Sequence, residues 1–406
     1  MLAIARQLQQ AGEQVLFLAA ERYLPLAERA GLRSQALVSE VQFTRLASHP
    51  QLWHPRHGAR LLFQEAVEHF LDDHFDWLQQ HCDPQRTTLV SHVLDFAGRV
   101  YRDAHPQTRF VSVLPAPALL RSSRTPPRLS AHWWESWIPH RLFPLLYRCA
   151  DIWVDRIGGR QINRLRTRHG LPPVSRILDQ WWWSPDLVLG LFPEWYAIAP
   201  EDRPAQLELV GFPLADSADV VEPHIAQELS AMWHAFAGDK PLVFAPGTAH
   251  EQAKDFLAAA ADICHKLDMP GLLISSNVDQ FPPQLPRRVV TARYAPFSKL
   301  LPGAAAIVHH GGVGTTSQAL RAGIPQVVVP MAFDQFDNAQ RVYNLSCGSW
   351  LPMTRCTSRR LLTHLERLPQ VATQCSAVAR QLATQPAATQ LAVQKILQLK
   401  RNPVHA

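Results

Sequence analysis

Between Val308 and Pro330 the chain reads VHHGGVGTTSQALRAGIPQVVVP, and this is the stretch whose residue types could do chemistry. An apolar strand runs into Gly311, Gly312 and Gly314, and a helix opens near Thr315. Glycines let backbone approach a ligand closely, and the first turn of a helix presents unpaired N–H groups at the positive end of its dipole. Such a turn holds an anion, and the hydroxyls of Thr315 and Thr316 can assist the grip on a diphosphate. The Lys and following Ser/Thr of a P-loop are absent, as is the third glycine of a dinucleotide fingerprint. His309 and His310 are neighbours on a strand end, so their side chains point apart, whereas metal ligands on one helix face would need i, i+4 spacing. No metal is expected.

Two further segments could meet the same ligand. In FAPGTAH, after an apolar strand at Leu242 to Ala245, Gly247 and Thr248 can contribute an amide and a hydroxyl. In MAFDQFDNA, from Met331 to Ala339, Asp334 and Gln335 follow a strand ending at Pro330, where paired acceptors and donors suit sugar hydroxyls. Taken alone, that segment reads slightly better as a capping turn in which Asp337 and Asn338 satisfy backbone groups.

The elements that must position these loops are regular from Pro241 onward. Strands are expected at Leu242 to Ala245, Gly271 to Ser275, Arg288 to Ala292 and Ala305 to His309, with a helix from about Glu251 to Lys266. Strands alternating with helices imply a parallel sheet, whose ligands bind beyond the carboxyl ends of its strands. The N-terminal half opens on a helix from Leu2 to Gln10 and a strand from Val15 to Ala19, with further strands starting at Thr87 and Arg109. A doubly wound sheet normally opens with a strand, so the first strand and its loop are expected to be missing, through a misassigned start or a truncation. Periodicity lapses from Val210 to His224. The expected division is therefore an N-terminal domain over 1–215, a linker over 216–238, a C-terminal domain over 239–385, and a helix and tail over 386–406.

Composition bounds the partners. Of 406 residues, 47% are hydrophobic and 18% charged, which suits folded domains with generous cores. A net charge of +6 favours anionic partners, but the basic run from Arg156 to Arg168 lacks interleaved aromatics, which argues against nucleic acid. Six cysteines without framework spacing read as reduced thiols. With no apolar run of about 20 residues and no signal peptide pattern, a cytoplasmic location is expected, with peripheral contact at the inner membrane left open. Two tryptophan clusters, Trp133, Trp134 and Trp137, then Trp181, Trp182 and Trp183, could fill a core or form an apolar wall for a greasy acceptor.

Taken together, the segment from Arg293 to Val342 resembles the donor-binding signature of glycosyltransferase family 1. The resemblance implies an α/β GT-B fold: two facing Rossmann-like doubly wound domains with a cleft between them. It also implies inverting, metal-independent transfer of a sugar from a nucleotide diphosphate donor, with no cofactor. By position, Tyr294 would stack near the base, and His310 with Gly311, Gly312, Gly314, Thr315 and Thr316 would grip the diphosphate, with His309 also among the donor-binding residues. Gly247 and Thr248 would stand on the other phosphate side, and Asp334 and Gln335 would contact the hexose. Phe297 departs from the Gln that many plant members carry near the base.

Outside the signature, HPQLWHPRHG at His49, APALLRSSRTPP at Ala116 and DQWWWSPDLVLGLFPEWYA at Asp179 resemble the rhamnosyltransferases of rhamnolipid synthesis. That wider likeness implies rhamnose or glucose moved from a dTDP- or UDP-sugar to a hydroxyl of a hydroxyalkanoyl lipid or another hydrophobic acceptor. Family members usually carry the catalytic base after the first strand. Here His92 and Asp95, near the end of TTLVSH, are the nearest candidates, His92 also reading as a structural histidine. The alternatives are a sugar nucleotide-binding pseudoenzyme or partner subunit, a transferase for a sterol, carotenoid or macrolide-like acceptor, and a sugar nucleotide epimerase.

Overall fold

A computed structural model describes residues 1–54, 57–132, 137–198, 200–214, 223–247 and 253–401. The N-terminal half holds strands β1 (Leu16–Ala20), β2 (Arg33–Val38), β3 (Thr88–His92), β4 (Arg109–Leu114), β5 (Leu187–Gly190) and β6 (Leu207–Leu209). Its helices are α1 (Leu2–Gln10), α2 (Leu24–Arg29), α3 (Glu40–Ala47), α4 (Gly58–Glu68), α5 (Leu71–His81), α6 (Phe96–Ala104), α7 (Phe143–Ile157) and α8 (Gly159–Arg168). β1 pairs with β2, and β3 to β6 form a second sheet in chain order, every pair parallel. α1 packs against both: its Ala5 joins Ala27 and Leu32 beside β1 and β2, while Ile4 and Leu8 join Val111 and Leu189 of the second sheet.

The C-terminal half is a single six-stranded parallel sheet ordered β12-β11-β10-β7-β8-β9. Its strands are β7 (Leu242–Ala245), β8 (Gly271–Ile274), β9 (Val289–Ala292), β10 (Ala306–His309), β11 (Gln326–Val328) and β12 (Gly348–Trp350). The helices are α9 (Pro223–Ala235), α10 (Lys254–Leu267), α11 (Phe297–Leu300), α12 (Val313–Ala322), α13 (Gln335–Asn344), α14 (Ser358–Leu365), α15 (Ala372–Ala383) and α16 (Ala388–Arg401). β7 and β10 are wholly buried, as their unbroken apolar runs require of strands covered on both faces. The chain leaves β7 towards β8 on one side and returns through β10 on the other. The sheet therefore has its topological switch between β7 and β10, where a crevice opens at the carboxyl ends.

The expected linker over 216–238 is corrected in its second part. Residues 223–235 form α9, and Leu229, Met232 and Phe236 are buried with Val243 and Leu272 of the C-terminal sheet. α16 returns to the N-terminal half, where Ala392, Val393 and Ile396 pack with Ile4, Leu8 and Leu187. Burial of side chains of that size contributes about 1.5 to 3 kcal/mol each, enough to hold a 14-residue helix in place.

The tryptophan clusters divide. Trp181, Trp182 and Trp183 are buried in the N-terminal core, and Trp181 Nε1 donates to Asp103 Oδ2 at 2.8 Å. Asp103 also pairs with Arg99 and Arg166, whose guanidinium groups lie over the Trp181 ring. These three form core, not an acceptor wall. Trp133 and Trp134 lie outside the described residues, and Trp137 is exposed.

Candidate functional site

β10 is buried on both faces, Ala306 and Val308 packing under Leu257 of α10 on one side and Ile307 packing with Ala319 of α12 on the other, the side that His309 shares. His309, at its end, has no exposed surface. Its Nε2 meets Gln326 Oε1 at 2.9 Å and its Nδ1 accepts from the Gly311 N–H at 3.1 Å. Burial lowers its pKa to about 3, with His310 pushing the same way. His309 is thus a neutral strut behind the glycine turn, which corrects the expectation that it touches the donor.

His310 points the other way and is half-buried between two backbone segments. A methyl group on Gly312 would lie 2.5 Å from His310 Nε2, and one on Gly247 would lie 3.0 Å from His310 Nδ1. Gly247 also has φ of +104°, a conformation that side chains resist. The glycines after β7 and β10 therefore clasp one imidazole at the switch point. Gly311, at φ +93°, turns the chain so tightly that a methyl group would lie 2.7 Å from Val328 Cγ1.

Beyond His310, Gly312 is the N-cap of α12 and supplies no side-chain cap. The Thr316 N–H is the first to be satisfied within the helix, bonding Gly312 O at 3.0 Å. The preceding N–H groups of Val313, Gly314 and Thr315 stand at the open, positive end of a 10-residue helix. Gly314 is exposed and Thr315 half-buried. Thr316 is wholly buried, its hydroxyl donating to Gly312 O at 3.0 Å, so it braces the turn from within. That corrects its expected place in the grip. Thr248 lies outside the described residues.

After β11 the chain turns through Phe333, at φ +57°, into α13, with Asp334 as its N-cap residue. Gln335 is buried, and its Oε1 accepts from the N–H groups of Met331 at 2.8 Å and Ala332 at 3.2 Å. The side-chain amide alone remains for a ligand. Burial pushes the Asp334 carboxyl up to about 6, although Asn338 donates to its Oδ2 at 2.8 Å. Tyr294 is exposed in the loop after β9, and Phe297 opens α11 beside it.

Asn338 is the residue whose role sequence reasoning missed. Wholly buried, it donates to Gly311 O at 2.9 Å and to Asp334, and accepts from the hydroxyl of Tyr196, on the N-terminal side, at 2.9 Å. One turn on, Arg341 bonds Asp337 Oδ2 at 2.6 Å and the carbonyl of Tyr196 at 2.6 Å, and lies over the Tyr196 ring. Arg128 reaches across as well, its N–H bonding Asp337 Oδ1 at 3.2 Å and its guanidinium bonding Gln340 Oε1 at 3.1 Å. The helix that positions Asp334 is thereby the seam between the two halves. Trp53 stacks edge-on against Phe333 from the N-terminal side, with ring centres 5.7 Å apart.

The comparisons with known proteins fall on this architecture. Residues 272–399 match the family model described as erythromycin biosynthesis protein CIII-like, C-terminal domain. The solved glycotransferase of kitacinnamycin superposes with a TM-score of 0.70 over 98% of this chain and 94% of that one, at 18% identity. The chain has the GT-B fold. A second GT-B structure, the spinosyn rhamnosyltransferase SpnG complexed with thymidine diphosphate, superposes with a TM-score of 0.65 over 97% of this chain and 95% of its own, at 16% identity. In sequence, the O-mycaminosyltylonolide 6-deoxyallosyltransferase of Streptomyces fradiae is 30% identical over 244 residues, 51% of this chain and 52% of that protein. The chain spans about half the length of the curated relatives it matches.

In this GT-B chain the residues named as base are otherwise engaged. His92, exposed at the end of β3, accepts the Leu94 N–H on Nδ1 at 3.2 Å, which leaves the ring proton on Nε2 and makes that edge a donor. Asp95 is the N-cap of α6, accepting from the Gly98 N–H at 2.8 Å and pairing with His74 at 3.2 Å. His92 thus turns its Nδ1 to backbone, and Asp95 serves as a cap and as the ion-pair partner of His74.

Asp334 has a consequence for stability. Its folded pKa of about 6 lies above the ordinary carboxylate value, so the fold prefers the protonated form. Its contribution is present at low pH and is lost as pH rises through about 6. Asp334→Asn should therefore gain stability relative to the parent as pH rises from about 4 to about 7, read as the difference between their thermal unfolding midpoints. A difference that stays flat with pH would contradict the buried setting of this carboxyl.

Proposed function

We propose that the chain is an inverting, metal-independent glycosyltransferase that takes a hexose from a dTDP- or UDP-sugar. The observation that carries this reading is the clasped His310 above the uncapped start of α12, at the crevice between β7 and β10. A diphosphate seated there would receive the N–H groups of Val313, Gly314 and Thr315, and His310 would donate from its ring. In the transfer, an acceptor oxygen bonds to the sugar's anomeric carbon as that carbon's bond to the diphosphate oxygen breaks. The diphosphate leaves carrying the bonding pair, and the proton of the acceptor hydroxyl passes to solvent water. Fixed N–H donors aimed at the leaving oxygens stabilise the charge as it develops, the work a divalent cation does in other designs. Asp334, ionised above pH about 6, would accept from sugar hydroxyls.

For the donor we favour a dTDP-deoxyhexose such as rhamnose. The wider sequence likeness to rhamnolipid enzymes and the thymidine diphosphate bound by SpnG both support it. For the acceptor we favour a hydrophobic alcohol, a hydroxyalkanoyl lipid ahead of a macrolide or sterol, on the same likeness. The test is mass-spectrometric detection of transfer, with dTDP-rhamnose and UDP-glucose each offered with hydroxyalkanoyl lipids and with a macrolide aglycone. A rhamnosylated lipid is the expected product. Donor binding without any product would sink the transferase reading in favour of a sugar nucleotide-binding subunit.

A further inference from the structure

α7 is apolar on two opposite faces. Inward, Val154 is buried in the N-terminal core, and Tyr147 donates to the Ser122 carbonyl at 2.8 Å. Outward, Leu142, just before the helix, and Leu145, Leu146, Cys149, Ile152 and Trp153 within it are all exposed. Their numbers follow the i, i+3, i+4, i+7 rule of a single helical stripe, which runs the length of this 15-residue helix. Leu145 is 60% exposed, Ile152 54% and Trp153 46%. An aliphatic stripe ending in tryptophan is more than the scattered exposure usual on a soluble surface.

Charge says what covers it. The helix's two carboxylates are turned inward: Asp151 pairs with Arg121 at 2.5 Å, and Asp155 accepts the N–H groups of Arg176 at 2.7 Å and Ile177 at 3.1 Å. Its exposed charges are both basic, Arg148 and Arg156, with Arg141 exposed in the turn just before it and Arg160 and Arg164 exposed on α8 after it. An apolar face bordered by arginine and cleared of carboxylates matches an anionic bilayer, with side chains entering the acyl boundary and guanidinium groups meeting phosphates. Among the described residues, no helix is long and apolar enough to cross a membrane. We propose that α7 lies in the interface of an anionic membrane and docks the N-terminal half on it, which would place the enzyme where a hydrophobic acceptor collects.

The test is sedimentation of the full chain with vesicles of phosphatidylglycerol mixed with phosphatidylethanolamine, against vesicles of phosphatidylcholine. The parent should bind the anionic vesicles, and less as salt rises. Leu145→Glu with Trp153→Glu should lower the partition coefficient about tenfold or more, since both the lost burial and the added charge oppose insertion. Arg148→Ala with Arg156→Ala should remove the preference for anionic lipid while leaving residual binding. Titration with dTDP, whose site is in the other half, serves as the folding control and should be unchanged in both variants. Equal binding by parent and glutamate variant would overturn the proposal. So would failure of the parent to bind either vesicle, or a dimer in sedimentation velocity that the glutamate variant splits, which would make the stripe a contact with a second copy.

Discussion

Gly312→Ala should weaken nucleoside diphosphate binding by about tenfold to a hundredfold, although it removes no group that could touch a phosphate. The added methyl would lie 2.5 Å from His310 Nε2, and a side-chain ring yields before the backbone of the glycine turn does. On the other side a methyl group on Gly247 would lie 3.0 Å from Nδ1, so the backbone there leaves the ring little room to retreat and it must swing out of its clasp. A hydrogen bond to a charged partner is worth about 1.5 to 3 kcal/mol, which sets the expected loss. His310→Ala should lose a similar amount, and the double variant should lose little more than either single one. Calorimetric titration with dTDP gives all three constants. Losses that add would mean Gly312 acts on the diphosphate independently of His310.

Asn338→Ala should be the most destabilising single change at the seam. It removes the partners of the Gly311 carbonyl, the Asp334 carboxyl and the Tyr196 hydroxyl at a fully buried site. Buried polar groups left unpaired cost about 1 to 3 kcal/mol each, and partial relaxation makes a total of about 3 to 5 kcal/mol reasonable. Tyr196→Phe removes only one of those bonds and should cost about 1 kcal/mol. Chemical denaturation followed by tryptophan fluorescence would rank the two. Comparable losses would show that Asn338 does not join the glycine loop to the N-terminal half as the geometry has it.

The glycine turn, the parallel C-terminal sheet and the opposed directions of His309 and His310 were legible because each depends on local rules. Backbone freedom, strand alternation and the apolar run of a doubly covered strand all act within a few residues. What sequence could not separate was which hydroxyls and amides remain for a ligand. Thr315 and Thr316 look alike in sequence, yet Thr316 turns its hydroxyl back to Gly312 O while Thr315 stays half-buried in the opening turn. Gln335 reads as a sugar contact, but its side-chain carbonyl is taken by the backbone N–H groups of Met331 and Ala332 in the same turn.

The seam was hidden for another reason. Asn338 and Arg341 find their partner Tyr196 about 140 residues earlier, and nothing in either segment announces the pairing. A faint signal existed: Asp334 and Asn338, then Asp337 and Arg341, stand four apart on neighbouring faces of α13, more polar groups than a capping turn needs. For the tryptophans two readings stand open in the sequence, core or acceptor wall, and the core reading holds for Trp181 to Trp183. Trp181 is buried because Arg99 and Asp103 of α6 and Arg166 of α8 close around its indole, two helices about 60 residues apart in the chain. α9 was read as linker since its first turn follows a run of Pro, Asp and Ser, while its apolar residues Leu229, Met232 and Phe236 come only later.

The measurement that bears most directly on the account is calorimetric titration of the parent chain with dTDP, dTMP and thymidine. If the site is built for a diphosphate, dTDP should bind, dTMP should bind at least about tenfold more weakly, and thymidine should give no measurable heat. Equal affinity for all three would place recognition on the base alone and contradict the clasped His310 and the opening turn of α12 as a diphosphate grip.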